Sequence, residues 1–141
     1  MPPTAPVVPT TDSPSHVDVS VPLRAEYGSI LRLIAASLGA DAGFSVDDID
    51  DLRLALSEVF SSLVDAAAGD GADDDPRVAV TFDTAGPGLA VSMSAGDRNG
   101  FELDALATSI ISVAVNEFEF RDGTARLVKY GTEQQSDQSA S

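Results

Sequence analysis

One predicted helix carries side chains that could do chemistry, namely carboxylates that can accept a proton and a hydroxyl. They lie on roughly the opposite side from the apolar stripe of that helix: Asp51, Glu58, Ser62 and Asp65. Glu58 and Ser62 are four residues apart, so their side chains are neighbours on the helix surface. By spacing alone the pattern favours a solvated face, and a functional site is the alternative.

Other catalytic chemistries are excluded by residues that the chain lacks. There is no cysteine, so a disulfide framework, a thiolate nucleophile and a cysteine-ligated zinc are all excluded. The only histidine, His16, lies in a stretch rich in proline and serine. Ser-His-Asp hydrolysis and metal sites built from several histidines are therefore excluded as well.

Length and charge restrict the class of protein. The 141 residues are predicted to form one domain, because domains commonly hold about 100–200 residues. With 43% hydrophobic residues and a mean hydropathy of +0.06, the chain can bury a core. Lys and Arg number 8 against 23 Asp and Glu, which gives a net charge of -15. Such an acidic chain repels phosphate, so neither nucleic acid nor an anionic membrane is an expected partner.

Both ends of the chain are predicted to be disordered tails around one domain at residues 17–130. Residues 1–16 hold five prolines among Thr, Ser and Val, and residues 131–141 are small and polar. The N-terminal segment has neither a basic stretch nor a long apolar run, so no signal peptide or membrane span is predicted. A cytoplasmic location is therefore expected.

The first half of the domain is predicted to be a strand followed by two helices. Residues 17–23 alternate apolar and polar side chains, as a half-buried strand does. Apolar residues then recur at helical spacing from Tyr27, with Gly39 as the predicted stop. Ser45 and Asp48 have the spacing of a capping box before the second helix, which should run to about residue 68. Its apolar stripe is Ile49, Leu52, Leu56, Val59 and Leu63.

The second half is predicted to be two hairpins separated by a third helix. Residues 78–82 and 89–94 form the first hairpin, residues 103–115 the helix, and residues 117–120 and 125–129 the second hairpin. The element order is β-α-α-ββ-α-ββ. Helices with one apolar side and an antiparallel sheet predict an α+β fold, a two-layer α/β sandwich.

Two segments give the chain a family resemblance. DLRLALSEVFSSLVDAA (51–67) resembles the second-helix motif of RsbW-type anti-sigma factors, which are serine kinases of the GHKL (histidine-kinase/Hsp90-like) ATPase superfamily. GTARLVK (123–129) is similar to the closing strand of that family. The resemblance extends over about residues 18–130 and implies the Bergerat-like sandwich of GHKL ATPases.

The resemblance implies a nucleotide site in which several positions are changed. Glu58 matches the family's general base, whereas Ser62 replaces an asparagine that helps to hold Mg²⁺. Ala95 falls at the position of an aspartate that binds the adenine amino group, with Asp97 as the alternative if the loop shifts. Gly123 and Thr124 match a Gly-Thr pair whose threonine contacts adenine or a nearby water.

The segment that matches the family's phosphate-binding lid is changed too. It has no glycine after Gly100, and it adds the carboxylates of Glu102 and Asp104, which would repel a triphosphate. The resemblance thus implies ATP and Mg²⁺ as cofactors, and the changed residues imply weak binding or none.

Three functions follow from these residues. The first is an anti-sigma-factor-like regulatory domain that binds a sigma factor, a STAS-type antagonist or both, as a possible homodimer. The second is a divergent serine kinase that phosphorylates such an antagonist, and the third is a structural module. Because 11 acidic residues and one basic residue lie between Asp41 and Asp75, a basic partner is expected, with Asp47, Asp48 and Asp51 as its contacts.

Overall fold

The computed structural model describes residues 16–70, 76–84, 86, 88–95 and 103–131, with the side chains of residues 68–70 left aside. The predicted tails lie outside these ranges, apart from two boundary residues. His16 is the first residue of a strand, and Gly131 is buried.

The described residues include five strands and three α-helices in the predicted order. The strands are β1 (His16–Pro22), β2 (Arg77–Asp83), β3 (Gly88–Ser94), β4 (Glu117–Arg121) and β5 (Thr124–Tyr130). The helices are α1 (Gly28–Asp41), α2 (Val46–Asp70) and α3 (Ala105–Ala114), and a 3-10 turn over Ala25–Tyr27 precedes α1. The α+β prediction is confirmed.

The strands form one antiparallel sheet in the order β1-β2-β3-β5-β4. Both predicted hairpins, β2–β3 and β4–β5, are present. The two halves of the sheet join through β3 and β5, where Ser94 pairs with Thr124 at one end and Gly88 pairs with Tyr130 at the other.

The core lies between one face of the sheet and the three helices. The α2 stripe is buried, with Leu52, Leu56, Val59 and Leu63 at most 1% exposed. It belongs to the same apolar cluster as the inward residues of the strands, which include Val80, Phe82, Val91 and Leu127. Two layers around one core make the sandwich that the sequence predicts.

The prediction that Gly39 ends α1 is wrong. The helix continues to Asp41, and the glycine at its end is Gly43, whose φ is 87°. Gly39 lies inside the helix, where a Cβ atom would lie 3.1 Å from Ile49 and 3.2 Å from Phe44. A small residue is therefore required by close packing against the start of α2 rather than by a turn.

The predicted capping box at the start of α2 is confirmed. Ser45 Oγ accepts a hydrogen bond from the Asp48 backbone N–H at 3.1 Å, and Asp48 Oδ2 accepts one from the Ser45 N–H at 3.1 Å. Asp48 is only 3% exposed. Its proposed role as a surface contact for a partner is thus wrong, because its carboxylate is used to cap the helix.

No helix in the described ranges is both long and apolar enough to span a bilayer.

Candidate functional site

The C-terminal half of α2 lies toward one particular end of the sheet. α2 ends at Asp70, and the chain enters the sheet at Arg77, the first residue of β2. That end of β2 is level with the end of β3, since Ala79 pairs with Ser94, and Ser94 pairs with Thr124 at the start of β5. The helix is therefore directed toward the sheet end where β3 ends and β5 begins.

The N-terminal half of α2 is held against β5 by Lys129, the single lysine of the chain. Lys129 Nζ donates to Asp51 Oδ2 at 3.3 Å and to the carbonyl oxygen of Ala114, the last residue of α3, at 3.0 Å. The Lys129 side chain is only 11% exposed. A cation at a helix C-terminus is favourable because the carbonyl oxygens there carry the negative end of the helix dipole. Hence α2 runs antiparallel to β5, with Ser62 toward the end where Ala95 follows β3.

Sequence reasoning missed this lysine bridge between β5, α2 and α3. Two features of the sequence could have indicated it: Lys129 is the only lysine in the sequence, and it is the last residue of the GTARLVK motif on which the family resemblance rests. The ion pair bears on the prediction that Asp51 contacts a basic partner. Its carboxylate, 49% exposed, is already engaged inside the molecule and is not a free partner contact.

Glu58 and Ser62 lie at the border of the buried face of α2. Both are half-buried, whereas Asp65 is exposed, so the four chemistry-bearing side chains do not form one uniformly solvated face. Within the described part of the chain, the Glu58 carboxylate has neither a hydrogen bond nor an ion pair. The carboxylate and the hydroxyl thus point to the side of α2 that packs against α3, as Asp51 does.

Ala95 lies on the helix side of the sheet. Side chains alternate along a strand, so Ala95 shares the face of Val91 and Met93, which are buried in the core, and it packs against that core. Its methyl group cannot accept a hydrogen bond from an adenine amino group. The alternative, Asp97, lies outside the described residues.

The Gly-Thr pair is explained by the β4–β5 turn. Asp122 and Gly123 have φ values of 53° and 78°, as the two central residues of a type I′ hairpin turn require. Thr124 then falls on the strand face of Arg126 and Val128, while Ala125 and Leu127, each 1% exposed, point to the helices. Thr124 therefore lies on the other face of the sheet from Ala95, and its place in the nucleotide site stays a prediction.

At the described positions that match the family's nucleotide site, the side chains differ from those that the resemblance implies for Mg·ATP. In the described ranges no three His, Cys, Asp or Glu side chains form a group that could hold a metal ion. Asp104, from the segment that matches the lid, is the N-cap of α3, where its Oδ1 accepts from the Ala107 N–H at 2.8 Å. Ser62 offers one hydroxyl in place of an amide, and Ala95 offers no polar atom. Gly100 and Glu102 lie outside the described residues.

The opposite face of the sheet carries a shallow polar cleft that the sequence did not predict. Its volume is about 140 Å³, and its lining includes Glu117, Arg126 and Tyr130. The Tyr130 hydroxyl donates to a Glu117 carboxylate oxygen, and this hydrogen bond, with a smaller effect of desolvation, raises the pKa of Tyr130. The charged groups of this cleft are thus at least partly paired with one another.

Comparison with known proteins finds relatives named serine-protein kinase RsbW. No known protein-family model matches the chain. A protein named serine-protein kinase RsbW, from Bacillus cereus (strain B4264), is 27% identical over 101 residues, which are 72% of this chain and 61% of the relative. A protein of the same name from Bacillus thuringiensis (strain Al Hakam) is 33% identical over 66 residues, 47% of this chain and 39% of the relative. The chain therefore spans less than two thirds of the length of these relatives.

A solved structure supports the same fold. The crystal structure of the RsbU and RsbW domains of a Mycobacterium tuberculosis protein matches 82% of this chain and 32% of that chain, with a TM-score of 0.62 and 19% identity. This similarity shows that the sandwich described above is also present in part of that structure.

Proposed function

We propose that this chain, which is similar to proteins named serine-protein kinase RsbW and shares the fold of an RsbW domain, is an anti-sigma-factor-like regulatory domain that acts by protein contact. Its clients are a sigma factor, a STAS-type antagonist or both. The relatives are named serine-protein kinases, and such kinases take their phosphoryl group from ATP, so ATP is the nucleotide to test. We expect it to bind weakly or not at all.

One observation supports this proposal. The fold is kept, but the positions of Ala95 and Thr124 do not present polar groups on the helix side of the sheet, where a nucleotide would bind. Ala95 presents a methyl group on the helix side of the sheet, and Thr124 lies on the other side. A buried polar group left without a partner costs about 1–3 kcal/mol, and about 1.4 kcal/mol is a tenfold loss of affinity. Two such losses would move a micromolar site toward millimolar.

Charge supports a basic client. Among the described side chains of α2, the exposed carboxylates are those of Asp47, Asp50 and Asp65. A sigma factor has surfaces rich in Lys and Arg that contact promoter phosphates, so it is complementary to an acidic domain. The acidic surface of α2 is smaller than the sequence predicts, because Asp48 is a cap and Asp51 is paired with Lys129.

The proposal predicts direct, salt-sensitive binding to a purified sigma factor in the absence of nucleotide. The association rate, measured by surface plasmon resonance, should fall as salt rises from about 0.05 to 0.5 M, because screening shortens the range of attraction. Asp47→Lys should slow association more than it speeds dissociation. Glu119→Lys, on the far face of the sheet, is the control and should leave the rate nearly unchanged. Association that is indifferent to salt would contradict the electrostatic part of the account.

A second candidate, a divergent serine kinase, is favoured by Glu58. Its half-buried carboxylate has no bonded partner in the described part of the chain and is free to accept a proton. Incubation of the chain with radiolabelled Mg·ATP and a purified STAS-type protein tests this function. Labelling of the STAS protein that is lost in Glu58→Gln would establish the kinase. We expect no labelling above that of the Glu58→Gln control.

A further inference from the structure

The outer face of α3 is apolar and exposed. Leu106 and Val113 are 71% and 87% exposed, and the half-buried Ile110 lies between them at helical spacing. We call Leu106, Ile110 and Val113 the α3 ridge. The inner face of the same helix is also apolar, with Ala107, Ile111 and Ala114 buried.

α3 has the sequence ALATSIISVA, in which Thr108, Ser109 and Ser112 form a polar side and no residue is charged. A helix with apolar residues on two sides is normally covered on both, yet the α3 ridge is exposed. Large apolar side chains exposed together at this spacing are typical of a surface that receives a partner helix.

The helix that packs against α3, α2, carries exposed carboxylates. α2 packs directly against α3, and the contact of Lys129 with both Asp51 and Ala114 places the N-terminal part of α2 beside the end of α3. Leu54, 47% exposed, extends the apolar surface on α2. Asp47 and Asp65 supply exposed carboxylates on the same helix.

We propose that the α3 ridge and Leu54 are the docking surface for a basic amphipathic helix of a partner protein. The apolar side of that helix would cover the ridge, and its Lys or Arg side chains would meet the carboxylates of α2. A second copy of this chain is a poorer occupant, since each copy carries a net charge of -15 and like charges repel. The inference rests on the proposed function, because it names the surface by which the sigma factor is held.

The test uses the full chain and two synthetic peptides. One is a helix of about 18 residues made of Leu on one face and Lys on the other, long enough to hold its structure when bound. The other has the same composition in scrambled order. The ridge variant is Leu106→Gln with Val113→Gln. The matched control is Ile30→Gln with Leu33→Gln on α1, where the side chains are 44% and 67% exposed.

We expect the wild-type chain to bind the amphipathic peptide, the ridge variant to bind it about tenfold more weakly, and the α1 control to stay within about twofold. Equal losses in both variants, or equal binding of the scrambled peptide, would overturn the proposal. So would a wild-type dimer that becomes a monomer in the ridge variant, because the ridge would then be covered by a second copy.

Parallel titrations with purified sigma factors separate this inference from the proposed function. If the wild type and the ridge variant hold a sigma factor equally, the inference is overturned and the proposed function stands. If the wild type holds no sigma factor but binds the peptide through the ridge, the proposed function fails and the docking surface is supported.

Discussion

At the scale of single residues, Lys129 of β5 is the side chain that connects α2 and α3. Its ammonium is nearly buried and touches both α2 and α3, so removal of its carboxylate partner leaves a charge without compensation. The identity of the residue is visible in the sequence. Its contacts are not, because they depend on how two helices pack on one strand.

The Lys129 bridge gives a stability prediction. Asp51→Ala should lower the free energy of unfolding by about 1–3 kcal/mol, since the nearly buried ammonium loses its carboxylate partner and keeps the neutral Ala114 carbonyl. Asp50→Ala is the matched control, because Asp50 pairs with Arg53 at 3.7 Å on the surface and such pairs contribute about 0–1 kcal/mol. Urea denaturation measures both. Equal losses in the two variants would mean that the bridge contributes no more than a surface ion pair.

Tyr130 gives a prediction on pH. Its pKa lies above the ordinary 10.0, mainly because its hydroxyl donates to the Glu117 carboxylate. The stabilising contribution is therefore fully present below pH 10 and is lost as the pH rises through the higher pKa of the folded state. In a Tyr27→Phe background, ultraviolet titration should show Tyr130 ionising at lower pH once Glu117→Gln is added. An unchanged titration curve would contradict the role of Glu117.

At the scale of elements, local patterns predicted the secondary structure well and the faces of the strands less well. The Asp-Gly pair at residues 122–123 predicts the β4–β5 turn because both positions need positive φ. The same turn begins β5 with Thr124 on the strand face that points away from the helices, which the Gly-Thr motif does not indicate. A motif match does not report which strand face Thr124 takes, and the buried Ala125 and Leu127 decide that face. Gly39 was misassigned for a similar reason, since only packing shows its role.

The capping box gives a prediction at this scale. Asp48→Ala should cost about 0.5–2 kcal/mol of stability, because the Ser45 N–H loses its acceptor while the helix loses its cap. Asp47 is exposed and lies one residue earlier. Asp47→Ala should cost less, about 0.3–1 kcal/mol, because it removes only a favourable interaction with the helix dipole. Thermal or urea unfolding compares the two. For sigma-factor association the order should reverse, with Asp47→Ala the more harmful variant.

At the scale of the whole molecule, the order of elements was sufficient to predict the fold class, whereas the basic partner that the net charge indicates stays a prediction. Alternating strands and one-sided helices allow few arrangements other than a two-layer sandwich. The candidate site was predicted only in part. Glu58, Ser62 and Ala95 lie on the helix side of the sheet as the resemblance implies, whereas Thr124 does not and Asp48 and Asp51 are engaged internally.

The central claim is that this domain holds its client without nucleotide. Isothermal titration calorimetry of a purified sigma factor into the chain, with and without millimolar Mg·ATP, tests it most directly. The account predicts the same Kd in both titrations within about twofold, because Ala95 and Thr124 leave the nucleotide few polar partners. A Kd at least about tenfold lower with Mg·ATP, or binding seen only with the nucleotide, would contradict it.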